Sequence, residues 1–198
     1  MQPIKIAGIG AGGHGQVIAD LFHGSSSYQL SAWIDHQGSL HGTSIAGALV
    51  IGADDKIASL PGLGITHAFI GIGSIGNTAL RKKVSNLSLG AGLAHPTIFA
   101  PSAVVSKSAY IAQGTCIFPL AVVNANTRIG EFAIINTHAT VEHDCKIGDF
   151  AHISPGAILA GNVSVGNSSH IGAGAIIKEG VSIGSSSLIG AGAVVLSD

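Results

Sequence analysis

The stretch VEHDCKIGDFAHISPGAILAGNV, Val141–Val163, carries aliphatic residues at Val141, Ile147, Ile153 and Leu159, each six after the last. The same count continues backward through Ile135, Ile129, Val123, Ile117, Ile111, Val105 and Phe99 to Leu93. It continues forward through Val165, Ile171, Ile177, Ile183 and Ile189 to Val195. With 46% of the chain apolar, an unbroken series of this length arises by chance about once in a million per frame. A second register runs beside it: four residues after each aliphatic comes a small or β-branched residue, here Cys145, Ala151, Ala157 and Val163. Side chains alternate across a strand, so the small residue and the aliphatic two positions on point inward and the residue between them points out. The next outward residue leads into a two-residue turn. Three such short strands close a triangular coil of eighteen residues, and coils stack as parallel β-sheet, each burying its neighbour's aliphatic row.

Composition agrees with a repetitive β architecture. Across 198 residues the chain has 29 glycines and 5% aromatics, so the core is built from small aliphatic side chains. Charged residues make up 10% and the net charge is −1, which argues against a nucleic-acid or polyanion partner. No apolar run is long enough to cross a bilayer, and MQPIKIAGIGAGGHG lacks the basic start and cleavage site of a signal peptide. A cytoplasmic protein with no membrane partner is the expectation. Cys116 and Cys145 stand apart with no CxxC, which reads as two small residues in a reducing compartment.

Residues 1–90 lack the six-residue period and form a separate domain, with 91–198 as the repeat domain. IKIAGIG reads as a buried strand, QVIADLF as a helix, LSAWID as a second strand, DDKIASL as a short helix, THAFIGIG as a third strand and NTALRKKVSNL as a helix capped by Asn77 or Thr78. Alternating strands and helices predict a small α/β Rossmann-like domain with a parallel sheet. Gly10-Ala11-Gly12-Gly13-His14-Gly15 fits GxGxxG between strand and helix, with Asp35 about twenty residues on. About ninety residues supply half of a full dinucleotide fold, so a nucleotide-like ligand is expected rather than NAD. The loop suits a diphosphate because bare backbone N–H groups at a helix N-terminus bind one. A turn kept glycine-rich for close packing stands as the alternative.

By the register, His143 and Asp144 occupy a corner, where adjacent side chains can meet. A carboxylate beside an imidazole fixes its tautomer and raises its basicity, as a general base requires; a solvated polar turn is the other reading. His152 and His170, eighteen apart, face outward and stack, with His170 expected to be solvated, and His95 reads as a turn residue before Pro96. His138 and His143 are five apart, a spacing also found among the metal ligands of γ-class carbonic anhydrases, but Ser102 occupies the position where that family has a further histidine. No metal is expected.

The hexapeptide pattern resembles the left-handed parallel β-helix of the hexapeptide-repeat acyltransferases over residues 93–198. GAGGHG, WID, GIG followed by RKKV, and EHDCKIGDFAHISPGAILAGNVSVG extend the likeness over nearly the whole chain. Together they resemble the sugar acyltransferases typified by sialic acid O-acetyltransferases and the nucleotide-sugar N-acetyltransferases of the bacillosamine and perosamine pathways. The resemblance implies that His143 is the general base and that Asp144, where several relatives carry Glu, tunes it. It implies that His152 and the backbone near Ala173 and Ala191 contact acetyl-CoA, the co-substrate. Gly12, Gly13, His14, Asp35, His36 and Gly73 would hold the nucleotide sugar. It further implies a homotrimer with active sites between neighbouring helices. Relatives continue past the last coil into a covering loop, whereas this sequence stops at Leu196-Ser197-Asp198, so an open end and fewer coenzyme contacts are expected.

The expected activity is acetyl transfer from acetyl-CoA to the amine of a nucleotide-linked amino sugar, of the 4-amino-4,6-dideoxy type. O-acetylation of a sugar of the sialic acid type, with the same base, is the alternative in chemistry. A non-catalytic trimeric scaffold is the alternative in class, and the co-occurrence of the glycine loop and the His143-Asp144 corner argues against it.

Overall fold

The computed structural model describes residues 2–22 and 27–198, in two compact units: Met1–Gly73 with Ala79–Pro96, and Ser74–Thr78 with Thr97–Asp198. No helix among the described residues is long and apolar enough to cross a membrane.

The first unit contains strands β1 (Ile4–Ile9), β2 (Tyr28–Ile34), β3 (Ser44–Ile45), β4 (Ala48–Gly52) and β5 (His67–Ile70), with helices α1 (Gly13–Asp20) and α2 (Ala79–Gly90). The sheet order is β3-β4-β2-β1-β5. It is parallel throughout except that β3 pairs antiparallel with β4 at one edge. The sequence reading did not anticipate β3 and β4, whose two short runs are separated only by Ala46 and Gly47, both at positive φ. DDKIASL forms the expected short helix, of 3₁₀ type, over Asp54–Ser59, and Pro61 opens a second 3₁₀ turn directly after it. Trp33 is fully buried in β2, donates its indole N–H to the Ile45 carbonyl at 2.9 Å, and meets Phe69 edge-on at 5.5 Å. Position 8 on the neighbouring strand must be glycine, because a Cβ there would overlap the Trp33 ring.

The second unit is a parallel β-helix of two-residue strands in three sheets. The first sheet runs from Ile98–Phe99 to Leu188–Ile189, the second from Val104–Val105 to Val194–Val195, and the third from Tyr110–Ile111 to Ser182–Ile183. Each strand pairs in parallel with the strand eighteen residues on, as in Arg128↔Lys146 and His152↔His170. The inward rows form one core in which Ile135, Val141, Ile153 and Leu159 pack with Ala139, Cys145, Ala151 and Ala157, all fully buried. Polar members of the small-residue row are satisfied by one repeated bond. Thr115 and Thr127 hydroxyls donate to carbonyls fifteen residues on, at 2.7 and 2.8 Å, and the Cys145 thiol does so at 3.2 Å. The corners turn through a residue in the left-handed region, including Asn126, Asp144 and Asn162, where short polar side chains are tolerated better than bulky ones.

Two expectations require correction. His152 and His170 do stack on the outward side of the first sheet, but neither is solvated: they are 8% and 7% exposed. Ser74–Thr78 belongs to this unit, and the Ser74 carbonyl accepts a 2.9 Å bond from His152 Nδ1. His95 is not a surface turn residue either. It follows Ala94, which bridges in parallel to His67, and it is buried.

Candidate active site

In the first unit, β2 and β5 flank β1, so the chain leaves β1 towards β2 and later returns on its other side. Ligands of parallel α/β sheets bind at such a reversal, outside the carboxyl ends of the strands. A crevice of about 190 Å³ opens there, lined by Gly10, Gly12, Asp35, His36, Ile72 and Leu80 among others. The glycines divide by role. A Cβ at Gly10 or Gly15 would collide with neighbouring backbone or side chain, so these two permit close packing, whereas Gly12 and Gly13 have open space around them. No side chain caps the start of α1, which leaves the amides of its first turn to a ligand.

Asp35 is 8% exposed. Its carboxylate accepts the Ala11 N–H at 2.8 Å and the Gln37 N–H at 2.9 Å, so it braces the glycine loop through the backbone. His36 stands beside it in the open, with Nδ1 3.6 Å from Asp35 Oδ1. His14 packs against Gly73 away from the residues that line the crevice. Burial, aided by the nearby Arg81 guanidinium, pushes its imidazole down to about 4, so it is neutral at pH 7. Asp54, a crevice residue the sequence reading missed, lies just beyond the unrecognised β4 and is paired with Lys83 at 2.8 Å.

In the second unit His143 and Asp144 form the corner between the second and third sheets. His143 Nδ1 and Asp144 Oδ2 are 2.8 Å apart, and Asn126, eighteen residues earlier, donates its amide to Asp144 Oδ1 at 3.2 Å. These hydrogen bonds, from His143 first and Asn126 second, hold the Asp144 carboxyl below its usual range. An ionised carboxylate accepts from Nδ1–H, which leaves the Nε2 lone pair outward. The imidazole lies over Gly161, where a Cβ would fall 2.8 Å from Nε2. Asn126 and Gly161 were both missed by the sequence reading, although their offset of eighteen from Asp144 and His143 marks them as stacked neighbours.

His152, Ala173 and Ala191 come together around a cavity of about 460 Å³ shared with Ile75, Ser154 and His170. Ser74 O can only accept, so His152 Nδ1 carries its proton, and Nε2 accepts from Asn136 Nδ2 at 3.0 Å. Its ring meets His170 edge-on at 4.9 Å. Burial lowers the His170 pKa, opposed by the Ser74 carbonyl. Ala173 and Ala191 are successive corner residues whose amide N–H groups have no acceptor among the described residues. That cavity lies along the first sheet and its corner with the second, whereas His143 stands at the corner between the second and third. One chain therefore carries the His143-Asp144 corner and the cavity on different edges. Among the described residues, no group of three or more His, Cys, Asp and Glu side chains is arranged to hold a metal ion.

Residues 5–87 match the PglD N-terminal domain, and residues 126–161, 144–179 and 162–197 match the bacterial transferase hexapeptide (six repeats). PerB from Caulobacter crescentus, solved in complex with CoA and GDP-perosamine, is 34% identical, with 98% of this chain and 89% of that one covered and a TM-score of 0.89. This chain belongs to the hexapeptide-repeat sugar acyltransferase family. The acetyltransferase domain of PglB from Neisseria gonorrhoeae, solved with acetyl coenzyme A, is a second relative at 37% identity, with 99% and 92% covered and a TM-score of 0.88. WeeI from Acinetobacter baumannii is 26% identical with a TM-score of 0.71, covering 96% and 95%. No curated protein matches the sequence of this family member.

Proposed function

We propose that the chain transfers the acetyl group of acetyl-CoA to the amine of a nucleotide-linked amino sugar. The 2.8 Å contact between His143 Nδ1 and Asp144 Oδ2 carries the reading, since it prepares one imidazole nitrogen as a base at an exposed corner. Relatives solved with CoA and GDP-perosamine or with acetyl coenzyme A support the substrate pair. The first unit would hold the nucleotide sugar: the α1 amides with Gly12 and Gly13 at its phosphates, and Asp35 and His36 at the crevice, while His14 and Gly73 pack together beside it. Residues 91–198 would run the transfer.

The amine attacks the thioester carbonyl, forming the C–N bond and placing negative charge on the carbonyl oxygen. His143 Nε2 takes a proton from the attacking nitrogen, the imidazolium stabilised by ionised Asp144. The C–S bond then breaks and coenzyme A leaves as the thiolate. General-base help supplies roughly 10²–10⁴-fold, and positioning of the two substrates supplies more. Ala173 and Ala191, with their unpaired amides, suit the amide carbonyls of the coenzyme's pantetheine arm, and His152 orders that wall.

Assembly as a homotrimer completes the reading. The outward residues of the second sheet are apolar at Val104, Ile158, Ile176 and Val194, all exposed in the single chain. That row separates the His143 corner from the Ala173 and Ala191 corner, so burying it between copies brings one copy's base towards its neighbour's cavity. Because the reaction uses acetyl-CoA, we assign it to the cytoplasm, where it would supply an acetamido sugar for glycan assembly.

Release of coenzyme A thiol from acetyl-CoA, measured with UDP- and GDP-linked 4-amino sugars and a free sialic acid, tests the proposal. Turnover with an amino sugar that disappears in His143→Ala is expected; turnover with sialic acid alone would move the assignment to O-acetylation.

A further inference from the structure

The third sheet carries the observation on which a new site rests. Arg128 and Lys146 are direct partners on adjacent parallel strands, both pointing outward and exposed. Like charges opposed across a strand pair repel and weaken the sheet. Neither cation has an ion pair or a side-chain hydrogen bond among the described residues. The chain has only 9 Lys and Arg in all, so two stacked without a counter-charge is a costly use of scarce residues. They line a groove of about 540 Å³, with Tyr110 one coil before them and Ser164 one coil after. Gly130 and Gly148 also line it, and the space a Cβ would take at these two positions is filled by the Asp149 carboxylate and the Asn167 amide of the following coils. The groove begins beside the catalytic corner: Lys146 is three residues beyond His143.

We infer that the Arg128–Lys146 groove binds the phosphates of a substrate. Two adjacent cations, one able to grip two oxygens at once, match a diphosphate ester better than a single charge, and Tyr110 adds a hydroxyl and an aromatic face. The inference rests on the acyltransferase reading, in which both substrates carry a diphosphate: the coenzyme and the nucleotide sugar. The cations stand on the same chain as His143, on the strands that follow its corner and the equivalent corner one coil earlier.

Two measurements on the full chain test it. Calorimetry with inorganic pyrophosphate reads the groove itself and needs no turnover. Binding by the wild type that falls at least about tenfold in the Arg128→Gln/Lys146→Gln double variant, and weakens with added salt as exposed charge pairs do, is expected. Equal binding in the two proteins, or none in the wild type, overturns the site. Steady-state kinetics then identify the source. A roughly tenfold or larger rise in KM for acetyl-CoA alone assigns the groove to the coenzyme, and the same rise for the nucleotide sugar alone assigns it to the acceptor, with kcat changed by less than about threefold in either case. Both KM values unchanged in an active double variant overturn the proposal and leave the acyltransferase reading standing. Absence of all turnover in folded wild type defeats that reading instead, and pyrophosphate binding still decides the groove.

Discussion

His143 lies flat over Gly161, one coil further on, so that a Cβ at position 161 would sit 2.7 Å from its Cε1. In the proposed mechanism the relation makes Gly161 a positioning residue for His143. Gly161→Ala leaves the backbone unstrained, since this glycine is not in the left-handed region, but it pushes the imidazole off its seat. A displacement near 1 Å costs on the order of 10²-fold in rate. The expected result is a fall in kcat of ten- to a hundredfold with coenzyme A affinity and melting temperature unchanged. A variant with wild-type kcat would show that the ring has room to move without penalty.

In the proposed mechanism Asp144 holds Nδ1–H of His143, so Asp144→Asn should lower kcat while leaving both KM values within about twofold. Its carboxyl titrates below the ordinary carboxylate range. The carboxylate is therefore present throughout neutral and mildly acidic conditions, and activity lost between pH 7 and 5 in the wild type is not due to its protonation. Pre-steady-state acetyl transfer separates this effect from product release.

Asp35 reaches the glycine loop rather than open solvent, and its removal should be felt in one substrate only. Asp35→Ala unties the Ala11 N–H and loosens the start of α1, at a cost of about 1–3 kcal/mol for the buried donor left behind. The KM for the nucleotide sugar should rise about tenfold or more with that for acetyl-CoA unchanged. Equal rises in both would show a general loss of folding instead.

The repeat was legible because two constraints coincide every six residues, an aliphatic row and a small row, and few other folds demand both. The His143-Asp144 corner followed from that register. What the register does not carry is contact from outside the repeat. His170 reads as an exposed strand residue because nothing near it in sequence shows that Ser74–Thr78, some hundred residues earlier, covers the first sheet. Strand β4 was missed for a different reason: ALVIG is short and closely preceded by the Ala46-Gly47 turn, so its apolar run reads as part of a loop. Asp35 was found by spacing, but its bond to Ala11 depends on loop geometry that spacing does not encode.

His95 provides a pH prediction. Burial is the main cause that brings its pKa down to about 4 from 6.5, so the native state keeps it neutral while the unfolded state binds a proton below pH 6.5. The unfolded chain then carries more protons between those limits, and stability falls as the pH drops through that window. At pH 5 the loss from this residue is about 2 kcal/mol. Urea denaturation from pH 7 to 5 should show the decline, with a shallower slope in His95→Gln even if that variant is less stable at pH 7. An identical slope in the two proteins would assign the acid sensitivity elsewhere.

The last prediction concerns assembly. Ile158 and Ile176 are paired neighbours in the second sheet, each more than 40% exposed in the single chain, and the inward residues beside them, Leu159 and Ile177, are fully buried. A charge on the outward side therefore leaves the coil intact and acts only on what covers it. Ile176→Glu placed against an apolar partner surface buries an unpaired carboxylate, which costs several kcal/mol per interface and recurs in each copy of a symmetric assembly. Sedimentation velocity should show wild-type trimers and variant monomers with the same far-ultraviolet dichroism. Turnover should be lost with the trimer, because the base and the cavity lie on different edges of one chain. A monomeric variant that retains wild-type kcat would mean that each chain completes its own active site, and the trimeric reading would fall.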